Sequence, residues 1–255
     1  MARQKLGQHF LIRGSVLDRI ARAACPEREP LVVEIGPGTG ALTSRLLARA
    51  DRVVAIELDR GLVDRLAQTY AQERRLTVIA GDALKTDLGQ WGPAVIAGNL
   101  PYYAATAILQ RIVDLGALVR RGVFLVQKEV ATRITAQPGS RDYGYLSVAT
   151  QLCAGVELLF EVPPAAFRPP PKVDSAVLRL IPHDRASELG IAGRQAFLGF
   201  LSLCFKQKRK TLRNNLSVRF GACVDSWPEA RLRAEQADLA TFAAMYHRLG
   251  GATLR

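Results

Sequence analysis

Residues 31–43 read LVVEIGPGTGALT. Leu31–Ile35 is a short apolar run of strand type, Gly36, Gly38 and Gly40 follow at alternate positions, and Ala41–Arg49 has a helical pattern. A strand that breaks into a glycine turn and re-enters as a helix starts a parallel crossover unit. The same alternation repeats along the chain. Strands are expected at Arg52–Glu57, Leu76–Ala80, Ala94–Ala97 and Gly122–Gln127, with helices at Gly61–Tyr70 and near Ala105–Leu115. Short, continuously apolar strands fit burial on both faces, so the fold class is α/β with a mostly parallel sheet. After Pro171 the alternation stops. One more strand is expected at Ser175–Ile181, then helical patterns near Ile191–Phe205 and Asp238–Leu249 that read as a small helical module. The expected division is 1–181 and 182–255.

The 255 residues carry a net charge of +12, with 49% hydrophobic and 23% charged residues. Such a chain can bury a core of normal size, and its excess charge suggests a polyanionic partner. The charge is uneven. Residues 176–255 carry 13 basic and 6 acidic side chains, against 22 and 17 in residues 1–175. Cys25, Cys153, Cys204 and Cys223 show no Cys-x-x-Cys spacing, and His9, His183 and His247 are scattered. No metal site or disulfide framework is expected, and reduced, buried thiols in a cytoplasmic protein are. The N-terminus is a poor signal peptide because Arg13 interrupts its apolar run, and no stretch reaches the roughly 18 apolar residues of a membrane span.

In an open α/β sheet, ligands bind outside the carboxyl ends of the strands. Four polar stations stand there: Gly36–Gly40, Glu57-Leu58-Asp59, Gly81-Asp82, and Asn99-Leu100-Pro101-Tyr102. The glycine turn lets the backbone approach a ligand, although alone it could be no more than a tight strand-to-helix turn. Its spacing is not the dinucleotide G-x-G-x-x-G. Glu57, 21 residues after Gly36, can accept hydrogen bonds from both hydroxyls of an adenosine ribose. Asp82 can accept from an exocyclic adenine amine. Pro37 and the lack of a nearby lysine speak against a triphosphate. At the fourth station Asn99 offers an amide oxygen, and the Leu100 carbonyl precedes a proline that cannot donate to it. Two rigid acceptors can take both hydrogens of an aromatic amine, and Tyr102 offers a face for a base. The bland alternatives are a strand-ending turn and a core tyrosine.

Nine segments are then recognisable together: GQHFL (7–11), EIGPGTGALT (34–43), IELD (56–59), GDA (81–83), NLPY (99–102), VQKEVATRI (126–134), YGYLSV (143–148), VPPAAFRPPPKVDSAV (162–177) and KRKTLRNNL (208–216). Over nearly its whole length the chain resembles the ribosomal RNA adenine dimethyltransferases of the bacterial KsgA type. The resemblance implies a Rossmann-like methyltransferase domain over 1–181 that binds S-adenosylmethionine, and a helical rRNA-binding domain over 182–255. It implies dimethylation at N6 of two adjacent adenosines in a hairpin near the 3′ end of small-subunit rRNA, during ribosome biogenesis.

Carried over by position, the cofactor contacts are His9, Leu11, Gly36, Glu57, Asp82 and Asn99, with Gly38 in the same turn. His9 stands where some members have asparagine. The catalytic group is Asn99, Leu100, Pro101 and Tyr102, and Phe167 matches the aromatic expected on the other face of the target base. After Tyr103, Ala105-Thr106-Ala107 replaces the Ser/Thr-Pro pair of many relatives. Lys206, Lys208, Arg209, Lys210 and Arg213, in a stretch without acids that runs on to Arg219, are expected to neutralise rRNA phosphates. The partner is expected to be the immature 30S particle, and the enzyme a monomer without metal or membrane contact. Rival readings are a large-subunit rRNA methyltransferase that confers antibiotic resistance, a nicotinamide oxidoreductase, and an assembly factor without catalysis. The basic KTLRNNL segment argues against the first, and the glycine spacing with the NLPY station against the second.

Overall fold

The computed structural model describes residues 9–250, so Gly7 and Gln8 of the first recognisable segment lie outside it. Strands are β1 (Phe10–Leu11), β2 (Glu29–Ile35), β3 (Ala50–Glu57), β4 (Leu76–Ala80), β5 (Ala94–Asn99), β6 (Val119–Gln127), β7 (Ala154–Val162), β8 (Phe167–Arg168) and β9 (Ser175–Pro182). Helices are α1 (Gly14–Ala24), α2 (Ala41–Leu47), α3 (Arg60–Thr69), α4 (Ala105–Asp114), α5 (Lys128–Thr135), α6 (Tyr145–Gln151), α7 (Arg185–Glu188), α8 (Arg194–Cys204), α9 (Leu212–Phe220) and α10 (Leu239–Arg248).

Seven strands form one sheet in the order β4-β3-β2-β5-β6-β9-β7, with β2 to β6 parallel and β9 antiparallel to β6. This is the mostly parallel α/β sheet that the alternation predicts and the Rossmann-like sheet that the resemblance implies. Side chains alternate across a strand, so both faces can be followed from the burial. Val32, Val53, Val95, Val123, Leu125 and Val177 join Leu17 and Ile20 of α1 and Leu46 of α2 in one core. Their neighbours Val33, Val54, Ile96 and Phe124 are buried as well, so water reaches neither face of the central strands. The apolar residues of α1 recur at 16, 17, 20, 21 and 24, a helical stripe, and Asp59 caps α3 by accepting from the Gly61 and Leu62 amides.

Gly98 sets how closely β5 lies against β2. A Cβ there would land on the Ile35 carbonyl oxygen, inside contact distance. β7 is absent from the sequence expectation. It is the terminal strand, half-exposed, and carries Glu157 and Glu161, so it shows the charge that blunts a sheet edge rather than a buried apolar run.

The chain divides into two units, residues 1–131 with 155–182, and residues 132–154 with 183–255. The segment 132–154 thus groups with the chain after Pro182 and not with the residues on either side of it. The reason is aromatic and polar. Tyr143 is buried against Phe205, ring centroids 6.2 Å apart, and the Gly139 amide donates to the Glu235 carbonyl. Gln151 holds this segment's own turn by donating to the Ile134 and Ala136 carbonyls. Phe197, Phe200, Phe242 and Tyr246 complete the helical core, with Phe197 edge-on to Tyr246 at 5.2 Å. Among the four cysteines, Cys25, Cys153 and Cys204 are buried, whereas Cys223 is exposed, contrary to expectation, because it lies on a short turn after α9. Among the described residues no helix is long and apolar enough to cross a membrane, and no His/Cys/Asp/Glu group has metal-binding geometry.

Candidate active site

Within the first unit, the carboxyl ends of β2 to β5 open onto a common cleft lined by His9–Leu11, Gly36–Thr39, Ile56–Leu58, Gly81–Leu84 and Asn99–Ala104. All four polar stations meet there.

The glycine turn is left-handed at Gly36, Gly38 and Gly40, with φ of 67°, 57° and 86°. An added Cβ at Gly38 would stand 3.1 Å from the Phe10 ring, so both backbone sign and space require glycine. Glu57 is 5% exposed, and both of its oxygens are held by the chain. One accepts from the Gly38 amide at 3.1 Å and the other from the Asp59 amide at 2.9 Å. Each oxygen retains a lone pair for a further donor.

Glu34 lines the same cleft and is fully buried. It accepts from the Thr43 hydroxyl at 2.6 Å. Burial, and behind it the charge of Glu57, push its carboxyl up to about 8, while the Thr43 hydroxyl opposes the shift. Sequence reasoning quoted Glu34 within a motif but gave it no task. A lone acid inside a strand carries no signal of its environment.

Asp82 closes its own turn. Its side chain accepts from the Leu84 amide at 2.9 Å, and its carbonyl accepts from the Lys85 and Thr86 amides at 2.8 Å each.

Asn99 ends β5, and its side-chain nitrogen donates to the His9 carbonyl at 3.0 Å. A carbonyl can only accept, so the amide orientation is determined and Oδ1 is left as its acceptor. The Leu100 amide continues the ladder to the Leu125 carbonyl at 3.0 Å, and the Pro101 carbonyl accepts from Ala104 at 3.0 Å. The Tyr102 hydroxyl shares a 2.6 Å hydrogen bond with Ser175, and burial raises its pKa. Its ring lies 5.7 Å from that of His9. His9 is oriented in turn by a 2.8 Å hydrogen bond between Nδ1 and the Pro169 carbonyl, which can only accept, so Nδ1 carries a proton. Tyr103 is 67% exposed at the mouth.

Leu11 lines the cleft. Phe167 does not. It is 3% exposed, sits in the hydrophobic core, and belongs to β8, which pairs with β1 through Leu11↔Phe167. In this conformation it is a core phenylalanine beneath the cleft and offers no face to a base.

Lys206–Lys210 form an exposed turn between α8 and α9. Buried Asn215 shapes that turn: its side chain donates to the Cys204 and Gln207 carbonyls and accepts from the Gln207 amide. Lys208 donates to the Arg141 carbonyl, and Arg213 forms a two-point ion pair with Asp225 at 2.6 and 3.2 Å. Lys206, Arg209 and Lys210 are exposed.

The cleft fits an adenosine-bearing cofactor. A buried carboxylate with fixed oxygens suits a ribose diol.

A family model described as ribosomal RNA adenine dimethylase matches residues 1–244. The chain is 45% identical over 256 residues to the ribosomal RNA small subunit methyltransferase A of Acidobacterium capsulatum, covering 96% of this chain and 90% of that one. A dimethyladenosine transferase from Plasmodium falciparum superposes with a TM-score of 0.80 at 26% identity, over 95% of this chain and 98% of the other. The 23S rRNA methyltransferase ErmE superposes with a TM-score of 0.69 at 24% identity, over 94% and 99%, a likeness of fold alone.

Proposed function

We propose, from the premise that this chain belongs to the ribosomal RNA adenine dimethylase family, that it dimethylates N6 of two adjacent adenosines near the 3′ end of small-subunit rRNA, on the immature 30S particle in the cytoplasm. S-adenosylmethionine, when bound, supplies an electrophilic methyl group on a sulfonium sulfur. The observation that carries the reading is Asn99: its nitrogen is occupied by the His9 carbonyl, which leaves an acceptor oxygen at the fourth station of a cleft that also holds buried Glu57.

Glu57 accepts from the ribose hydroxyls, and Asp82 from the cofactor's adenine amine. Asn99 Oδ1 and the Leu100 carbonyl accept the two hydrogens of the target amine. That amine is a poor nucleophile because its lone pair is delocalised into the ring. Two accepted hydrogen bonds favour a tetrahedral nitrogen and free the lone pair. The same acceptors stabilise positive charge on nitrogen as it develops, and the proton leaves afterwards. A monomethylated amine retains one hydrogen, so one acceptor still holds it for a second transfer. Tyr102 offers a stacking face that offsets the cost of unstacking the adenosine. The exposed basic turn at 206–210 neutralises rRNA phosphates without reading bases.

The test is methyl transfer from labelled S-adenosylmethionine to purified small subunits that lack the modification. Label is expected on N6 of two neighbouring adenosines. Label in large subunits instead, or in neither subunit, overturns the reading. In a second arm, neutralising Lys208, Arg209 and Lys210 should reduce the log-log salt slope of subunit binding by roughly 0.7–0.9 per lost phosphate contact. An unchanged slope removes the turn from the RNA interface.

A further inference from the structure

Arg111 belongs to no motif, yet it joins two of the four stations. Ala104, Ile108 and Arg111 follow one face of α4 from its N-cap to its last turn, and the first two line the cleft. Arg111 extends that face to the neighbouring station. Its Nη1 donates to the Leu84 carbonyl at 2.5 Å and its Nη2 to the Thr86 carbonyl at 2.6 Å. Nε is buried and has no partner among the described residues, so the guanidinium's hydrogen bonds go to this turn.

The turn it grips is the one Asp82 closes. Leu84 is held on both sides of its peptide chemistry, its N–H by the Asp82 carboxylate and its C=O by Arg111. Thr86 is held in the same double manner, its amide and hydroxyl by the Asp82 carbonyl and its own carbonyl by Arg111. Asp82 fastens the inner side of residues 82–86 and Arg111 the outer side. An arginine fork matches two carbonyls at once, which a single ammonium does less well.

We infer that Arg111 is a positioning residue for the cofactor: by clamping the 82–86 turn it holds Asp82 in the orientation that receives the adenine amine, and it ties that turn to the helix that follows the Asn99–Ala104 loop. The inference rests on the cofactor reading of Asp82 given above. The turn is short and its Lys85 is exposed, so without the clamp Asp82 must be ordered at the cost of binding energy.

Calorimetric titration of S-adenosylmethionine into the full chain tests it, with Arg111→Met, Arg111→Lys, Asp82→Ala and the Arg111→Met/Asp82→Ala double variant, alongside thermal melting of each. Arg111→Met is expected to weaken cofactor binding about tenfold, the lower end for loss of hydrogen bonds from a charged donor. Arg111→Lys should recover part of that loss. The KM for the cofactor should rise while kcat at saturating cofactor stays within about twofold, because the clamp acts on the ground-state site. The double variant should bind little worse than Asp82→Ala, since both changes act through one turn. If Asp82→Ala weakens binding and Arg111→Met does not, the inference falls and the cofactor reading stands. Losses that simply add in the double variant also overturn it, as they would for general damage to the fold. Full affinity in Asp82→Ala overturns both readings. Should Arg111→Met not fold, the affinity of Arg111→Lys decides: wild-type KM and Kd would then reject the two-carbonyl fork.

Discussion

The two halves of the cleft are built differently. On the cofactor side the chain satisfies itself: both Glu57 oxygens hold backbone amides, and Asp82 closes its own turn. On the target side the groups are held at one end only. Asn99 is fixed through its nitrogen, Tyr102 through its hydroxyl, and Tyr103 stands 67% exposed. The contrast fits the task proposed for each half. A small cofactor that must be bound in every turnover gains from a site ordered in advance. A base that has to leave a helix needs an open mouth and acceptors whose effect is felt as charge develops.

The contrast breaks most visibly at Asn99. Asn99→Ala should lower single-turnover rates by about two to three orders of magnitude, the loss typical of one preorganised hydrogen bond, with only a modest change in cofactor affinity. Near-normal rates for both methyl additions would make the NLPY station a simple turn. Glu57→Ala should do the reverse. Cofactor binding should weaken by about 1.5–3 kcal/mol, as for hydrogen bonds to a charged group, and RNA binding should stay as it is. Calorimetry with unchanged cofactor affinity would take Glu57 out of the site.

Tyr102 separates ring from hydroxyl. Tyr102→Ala removes stacking worth roughly 1–3 kcal/mol per base and should impair capture of the adenosine. Tyr102→Phe keeps the face and loses the bond to Ser175, so only stability should fall, by about 0.5–1.5 kcal/mol. Equal RNA affinities for the two variants would show that no base stacks there.

Glu34 bears on stability rather than on the task of either half. Its folded pKa is raised from 4.5 to about 8, so the native state keeps a proton that the unfolded chain loses. Stability of the free protein should therefore fall as pH rises from about 4.5 to about 8 and level off above, and Glu34→Gln should remove that part of the slope. Parallel stability–pH curves for the two proteins would refute the assignment.

Glu57, Asp82 and Asn99 could be placed together from the sequence because each stands at or just past the end of an apolar strand, and strand direction alone brings such residues to one edge. Phe167 misled because motif position says what a residue is near, not whether its ring turns into the core or the cleft; here the β1–β8 pairing turns it inward. The segment 132–154 was misassigned because its contact with Phe205 joins residues about sixty apart, beyond any periodicity. Arg111 and Asn215 were invisible for a related reason. Both act on backbone carbonyls, and every sequence has those everywhere.

The antiparallel strand β9 begins, not ends, at the cleft edge, where Ser175 stands beside Gln127 and meets Tyr102. The half proposed to hold the amine thus depends on chain made well after it. At translation rates of roughly 5–20 residues per second, Ser175 leaves the synthesising ribosome on the order of 4–15 s after Asn99. The glycine turn, Glu57, Asp82 and Asn99 are all in place before that moment, and the partner of Tyr102 is not. A nascent chain halted in that interval would contain every cofactor station of the cleft while its target wall still lacked support.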